Sequence, residues 1–220
     1  MVSTTACKWD TVIPFEPLWG QYKRVIKDNG AIVLTASQPF TSLLVVSNLK
    51  LFKYCWIWKK NRPTGMTHCA NMPMKDFEDI CVFSKGSIGH TKLIKNRMEY
   101  FPQGVKDCDK INSHTSWGME GTQERKSQEK TYRVTKENYP RMVIEFKKDD
   151  GIRLHPTQKP VALFEYLIKT YTNEGETVLD NCIGSGTTAI ACKNTNRFFI
   201  GFEKDEHYFN IANQRIKGDG

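Results

Sequence analysis

At 220 residues with 39% hydrophobic content, the chain can bury one sizeable core, and one α/β domain plus an insertion fits. Thirty-two Lys and Arg against 24 Asp and Glu give a formal charge of +8 and a pI near 9.1, a balance that suits a polyanionic partner and is also found in proteins without one. Seven cysteines with no Cys-x-x-Cys pair argue against a zinc site or disulfide frame and for a reducing compartment, and the lack of a signal-peptide pattern or long apolar run makes the cytoplasm the expected location.

The opening, Met1 to Asp10, has no strand before it and leads into a Pro-punctuated helix whose apolar stripe is Phe15, Leu18, Trp19, Tyr22, Val25 and Ile26. Asp28-Asn29-Gly30 is expected to end it at a left-handed glycine. Ala31–Ala36 reads as a short strand buried on both faces. Ser37 is the expected cap of a helix carrying Phe40, Leu43, Leu44 and Val46. Phe52–Trp58 and Asp79–Phe83 read as strands, with Trp56 and Trp58 as packing residues. The loop expected between them, residues 59–75, carries Lys59, Lys60, Arg62 and Lys75, and its length marks it as functional or mobile.

Residues 85–150 lose periodicity. Lysines and arginines recur there among Tyr100, Phe101, Trp117, Tyr132 and Tyr139, the composition of a surface that neutralises phosphates and stacks on bases. Glu120, Glu124, Glu129 and Glu137 dilute the charge, so a solvated loop is an equal reading from composition alone. Tyr139–Phe146 is expected to return the chain to the core as a strand.

Arg153-Leu-His-Pro-Thr-Gln-Lys-Pro160 then leads into a helical run with Val161, Leu163, Phe164, Leu167, Ile168 and Tyr171 at 3–4 spacing. Val178-Leu179 reads as a strand, Gly184-Ser185-Gly186 as a tight turn, Thr187-Thr188 as a helix start, and Glu203 as an acid closing the next strand. This is half of a Rossmann-like nucleotide site: glycines let the backbone approach a ligand, the helix start offers free N–H groups, and the acid can take two ribose hydroxyls. A plain β–α connection with a surface Glu is the competing reading. Thr-Thr after Gly186, where the dinucleotide fingerprint has x-x-Gly, speaks against NAD and for another adenosine-bearing ligand. Asp205 and Glu206 read as first-turn acids of the last helix.

His-Pro-Thr-Gln-Lys-Pro, Asp-Asn-Cys-Ile-Gly-Ser-Gly-Thr-Thr and Ile-Gly-Phe-Glu-Lys-Asp-Glu-His-Tyr-Phe-Asn-Ile-Ala together resemble the β-class amino-methyltransferases of DNA. The likeness is specific over residues 153–216 and looser over 4–84. It implies an α/β, Rossmann-like S-adenosylmethionine-dependent methyltransferase sheet in permuted order: a catalytic-half segment over 1–84, a target-recognition insert over 85–150 and a cofactor half over 151–220. It further implies site-specific methylation of double-stranded DNA at adenine N6, with cytosine N4 second, on a base flipped out of the duplex. By the same resemblance, Asp180, Asn181, Gly184, Ser185, Gly186 and Thr187 surround the cofactor, Glu203 takes its ribose, and His155, Thr157 and Lys159 close the methionine end. No metal is implied. The family's Asp-Pro-Pro-Tyr-type tetrad stands shortly before a segment like the one that opens here at Thr4. In this register its last residues fall on Met1 and Val2, so the tetrad is expected to be absent upstream of Thr4 and no catalytic residue is assigned. Strands expected next to Val178–Asp180 are missing on that alignment, which should leave apolar edges exposed. The family's setting leaves room for a restriction endonuclease partner and a homodimer. Rivals are a non-catalytic cofactor- or DNA-binding remnant, a methyltransferase of structured RNA and, last, a NAD-dependent oxidoreductase.

Overall fold

The computed structural model describes residues 12–89, 95–115, 129–148 and 154–218. In order they form α1 (Phe15–Val25), β1 (Ala31–Ala36), α2 (Phe40–Ser47), β2 (Phe52–Thr64), a 3-10 turn (Met66–His68), β3 (Lys75–Ser84), β4 (Lys106–Thr115), β5 (Glu129–Glu137), β6 (Val143–Glu145), α3 (Val161–Tyr171), β7 (Thr177–Asp180), α4 (Thr187–Asn194), β8 (Phe198–Gly201) and α5 (Glu206–Lys217). The described residues divide into two compact units. One is Pro102–Arg141, and the other takes the chain on either side of it.

The larger unit holds a mixed sheet in the order β1-β3-β2-β6 and a separate parallel pair, β7-β8. β3 explains why the sheet is covered on both faces. Its side chains alternate: Ile80 and Val82 point to one side with Trp56, Trp58, Leu163, Leu167 and Tyr171, while Cys81 and Phe83 point to the other with Trp19, Ile32 and Leu44. α3 therefore lies on one face, and α1 and α2 on the other. α3 has a second contact surface: Ile168 packs with Ala191 and Cys192 of α4 and with Val178 and Phe199. One helix thus joins the four-stranded sheet to the β7-β8 pair.

Packing is completed by polar groups that find partners inside. Trp58 donates to the Phe146 carbonyl (2.9 Å), and Trp56 donates to the Tyr171 hydroxyl (2.6 Å), which also meets the Tyr54 hydroxyl (2.9 Å). Both tryptophans are buried core residues. Lys27, just before β1, pairs with Glu176, just before β7, while Tyr22 of α1 reaches Asn181, just after β7. β1 and β7 consequently run in the same direction and end on the same side of the unit. Among the described residues β7 pairs only with β8, and Leu179 is 41% exposed.

Several local expectations are corrected. Gly30 has no left-handed backbone; a Cβ there would come within 2.9 Å of the terminal methyl of Ile26, which would have to shift. Ser37 does not cap α2 through its side chain: Pro39 holds the cap position, and only the Ser37 carbonyl accepts from Thr41 N–H (3.2 Å). β1 is buried at Ile32 and Ala36 and half-buried elsewhere, because it is the end strand of its sheet. β2 takes residues 59–64 of the segment expected as a loop and β3 begins at Lys75, leaving residues 65–74 between them. The returning strand shrinks to Val143–Glu145, with Tyr139 and Met142 exposed.

The unit Pro102–Arg141 is an antiparallel hairpin of β4 and β5. Arg133 grips Asp109 with two bonds of 2.7 Å, and Lys110 pairs with Glu137. Ile111 and Tyr132 are exposed. Trp117, Glu120 and Glu124 lie outside the described residues, as do the side chains of Glu129 and Lys130.

Candidate functional site

Asp180, the last residue of β7, braces the turn that follows it. One carboxylate oxygen accepts from Cys182 N–H (3.0 Å), and the other accepts from the Thr188 hydroxyl in the first turn of α4. Gly184 (φ +54°) and Gly186 (φ +84°) supply the left-handed backbone the turn needs. Gly186 has a second constraint, since a Cβ there would sit 3.3 Å from the Ala212 side chain of α5. As N-cap of α4 it provides no side-chain cap, so the helix start keeps its positive end uncompensated by a capping oxygen.

Glu203, two residues past β8, reaches back across this turn. Its Oε2 accepts from Gly184 N–H (2.9 Å) and its Oε1 from Asp205 N–H (3.0 Å). An ionised carboxylate has about four acceptor positions, so each oxygen keeps one for a ligand hydroxyl. Asp205 itself caps α5, accepting from His207 and Tyr208 N–H groups.

The His155–Lys159 segment covers the turn. His155 Nδ1 accepts from Thr157 N–H (3.2 Å) and lies 3.0 Å from the Thr157 hydroxyl, an acceptor role that places the ring proton on Nε2. Burial lowers its pKa, against the opposing pull of Glu203 and Asp205, so the neutral ring is favoured. The ring stands edge-on to Tyr208 at 4.2 Å and 3.5 Å from where a Cβ on Gly184 would be. Gln158 accepts from the Ser185 hydroxyl (3.2 Å) and from Leu154 N–H (3.1 Å). The Lys159 carbonyl accepts from Thr187 Oγ1 (3.4 Å), while its ammonium pairs with Glu78 of β3. Lys60 takes the other Glu78 oxygen (2.7 Å), and both lysines stand 5.7 Å from the Trp58 ring.

The structure thus gathers His155, Thr157, Gly184, Ser185, Gly186, Thr187 and Glu203 in one contact network, with Asp180 and Asn181 at its β7 end and the Lys159 ammonium directed into the Glu78 pair. Three contributors were not anticipated. Tyr22 donates to Asn181 Oδ1 (2.9 Å), and burial, Cys182 and Asp180 push its pKa up to about 12. Gln158 bonds Ser185, and Arg215 donates to the Ser185 carbonyl (3.2 Å) and Thr187 Oγ1 (3.4 Å). Tyr22 had no local signal except a polar tip on an apolar stripe, and Arg215 sits among ordinary basic residues of a last helical turn. Arg153 lies outside the described residues. So do Met1, Val2 and Thr4, the positions on which the expectation of an absent tetrad upstream of Thr4 rests. Among the described residues no group of three or more His, Cys, Asp or Glu could hold a metal ion, and no helix is long and apolar enough to cross a membrane.

A glycine turn, a helix start and a carboxylate thus lie together on the C-terminal side of parallel strands, an arrangement that can receive a ribose-bearing ligand. A family model described as DNA methylase, for N6 and N4 enzymes, matches residues 7–214. The chain is 45% identical over 204 residues to the type II methyltransferase M.HpaI of Haemophilus parainfluenzae, covering 89% of this chain and 56% of that protein. It is 43% identical over 65 residues to the type II methyltransferase M2.DpnII of Streptococcus pneumoniae, covering 30% of this chain and 24% of the other. The chain therefore spans about half, or less, of the length of the curated relatives it matches. Among solved structures, the M1.HpyAVI–SAM complex superposes with a TM-score of 0.60 at 25% identity, over 93% of this chain and 85% of that one. The cytosine-N4-specific PvuII DNA methyltransferase shares the fold, with a TM-score of 0.62 at 13% identity over 99% of this chain and 83% of the other.

Proposed function

Because the chain belongs to the N6/N4 DNA methylase family, we propose that it binds S-adenosylmethionine at the β7–α4 turn and serves methyl transfer to an exocyclic amine in double-stranded DNA. The observation that carries this reading is Glu203: it spans from the end of β8 to Gly184 N–H and keeps an acceptor position on each oxygen for a ribose diol. The donor set fits the cofactor. Gly184 and Gly186 hold the turn that a ligand's adenosine approaches, and Asp180 fixes that turn to α4. Asn181, held by Tyr22, follows the end of β7, and neutral His155, in contact with Thr157 and Tyr208, stands beside the turn.

The cofactor supplies a methyl group already activated on a sulfonium. The chain's residues need only hold it in line with the amine and exclude competing water. Duplex DNA is the substrate in this reading, with the target base flipped out of the stack. Adenine N6 is the first target to test and cytosine N4 the second, a preference that rests on how often family members use each.

Calorimetric titration with S-adenosylmethionine tests the site. Glu203→Ala should weaken binding by about 10- to 100-fold, the loss of charge-assisted hydrogen bonds of roughly 1.5–3 kcal/mol. Incubation with labelled cofactor and mixed-sequence duplex, followed by mass spectrometry of the nucleosides, then identifies N6-methyladenine or N4-methylcytosine. Equal binding by wild type and Glu203→Ala would remove the basis of the assignment. Cofactor binding with no labelled base under any condition would leave a binding module.

A further inference from the structure

Beyond the candidate site, β2 and β3 leave the sheet as a finger. β6 last pairs with β2 at Lys59, and β1 last pairs with β3 at Asp79, yet β2 runs on to Thr64 and β3 begins at Lys75. Lys75 lies a reach of about 13 Å past Asp79 at strand rise. Every residue from 61 to 77 is exposed. The tip is nonetheless built. Gly65 (φ +95°) turns the chain into the Met66–His68 3-10 turn, Met72 N–H bonds the His68 carbonyl (3.0 Å), and Thr64 Oγ1 donates to the Lys75 carbonyl (3.3 Å).

Its composition is one-sided. Residues 61–75 contain no Asp or Glu and carry Arg62, His68 and Lys75, while Lys59 and Lys60 before them are held by Glu145 and Glu78 and Asp76 follows. Met66 is 71% exposed, and Met72, Met74 and Phe77 are exposed with it. An apolar group of this kind held in water marks a surface that meets something. The root of the finger is tied to the candidate site through Glu78 and Lys159, whose carbonyl accepts from Thr187 and whose neighbour Gln158 bonds Ser185. β1 ends opposite Asp79 and runs in the same direction as β7, so the finger leaves the sheet on the side where the glycine turn lies.

We propose that this finger is a duplex-DNA contact, with Arg62 and Lys75 against phosphates and the methionines pressed as an apolar wedge against bases beside the target nucleotide. The inference rests on the reading that the chain acts on DNA. Charge selects the partner: the acid-free tip, residues 61–75, with Arg62, His68 and Lys75, matches a polyanion. Methionines, flexible and free of hydrogen-bonding demands, suit insertion at a base step whatever its sequence.

The test compares the full chain with the Met66→Ser/Met72→Ser/Met74→Ser variant and with Lys75→Gln, all at exposed positions. Fluorescence anisotropy with a labelled mixed-sequence duplex across a salt series reads DNA binding, calorimetry reads S-adenosylmethionine binding, and sedimentation reads self-association. The triple variant should lose about tenfold in duplex affinity with cofactor affinity unchanged, and Lys75→Gln should flatten the log–log salt slope by about 0.9. Wild-type duplex affinity in the triple variant overturns the inference. So does a wild type that binds cofactor but no duplex, or a triple variant that loses only self-association, which would make the tip a contact between copies of the chain. A wild type that binds duplex through the finger but takes no cofactor would sink the methyl-transfer reading and leave the finger standing.

Discussion

Glu78→Gln isolates a single charge at a junction between the sheet and the candidate site. The Glu78 side chain is 14% exposed, between Lys60 at 5% and Lys159 at 19%. Burial alone would raise the pKa of this carboxyl, but the two ammonium groups outweigh it and hold it below the usual value of 4.5. Removing the charge leaves two shielded cations facing one neutral amide. Breaking a buried pair from one side costs about 3–5 kcal/mol. The Trp58 ring under both lysines returns part of that, roughly 0.5–1 kcal/mol per cation, which puts the expected loss near the bottom of the range, about 3 kcal/mol. At a urea m-value of about 2 kcal/mol/M, the unfolding midpoint should fall by roughly 1.5 M. Tryptophan fluorescence reports it directly, since Trp58 packs beside the cluster. The companion variant Lys60→Met/Glu78→Leu/Lys159→Met removes all three charges and should stay within about 1–2 kcal/mol of wild type. A folded-state pKa below the unfolded one stabilises the protein above the unfolded value and loses that stabilisation as pH falls through the folded one. The gap between wild type and Glu78→Gln should therefore close below about pH 4.5. A loss under about 1 kcal/mol for the single variant, or a triple variant as weak as the single one, would show that the cluster is solvated and the cost misassigned.

Gly186→Ala must adopt φ +84° and bring a methyl within 3.3 Å of Ala212. Thermal unfolding should show a loss of at least about 1–2 kcal/mol, and calorimetry weaker cofactor binding. Gly175→Ala has the strain of φ +77° with open space around it, so it should lose stability and keep cofactor affinity. The folded-state pKa of His155 lies below 6.5, so the unfolded chain takes up the proton first and stability declines as pH falls from 6.5 toward the folded value. Denaturant midpoints measured across that window should slope for wild type and flatten for His155→Gln. Tyr22→Phe gives up the bond to Asn181, a loss of about 1 kcal/mol in a chemical melt. Burial also raises the phenols of Tyr54, Tyr100, Tyr166 and Tyr171, so ultraviolet difference spectra of wild type against Tyr22→Phe should isolate one phenol, with a pKa of about 12.

Local pattern carried much of the fold. Ala31–Ala36 is a strand with those bounds, the apolar run from Val161 to Tyr171 is α3, and Thr187 opens α4, because each has a strong period or a glycine turn at its edge. β4 and β5 were invisible in the sequence: their positions are mostly polar and exposed, and cross-strand pairs such as Arg133 with Asp109 supply what apolar alternation would elsewhere. Within the candidate site, the glycine turn and its spaced acid were legible as residue types. The partners were not. Tyr22 meets Asn181, and Lys159 meets Glu78, across long stretches of chain that no local window spans. Glu203 was expected to face a ribose, and its bonds to Gly184 and Asp205 N–H groups follow from the return of β8 beside β7, a pairing only the folded sheet reveals.

The two-sided packing of α3 also sets a schedule for synthesis. The sheet face formed by Trp56, Trp58, Ile80 and Val82 is complete once Ser84 has left the ribosome, but its cover begins only at Val161. At about 5–20 residues per second, the roughly 75 residues between them take on the order of 4–15 s to make. Through that interval two indole rings and their aliphatic neighbours wait in water, and a nascent chain in that state is a natural client for a holding chaperone.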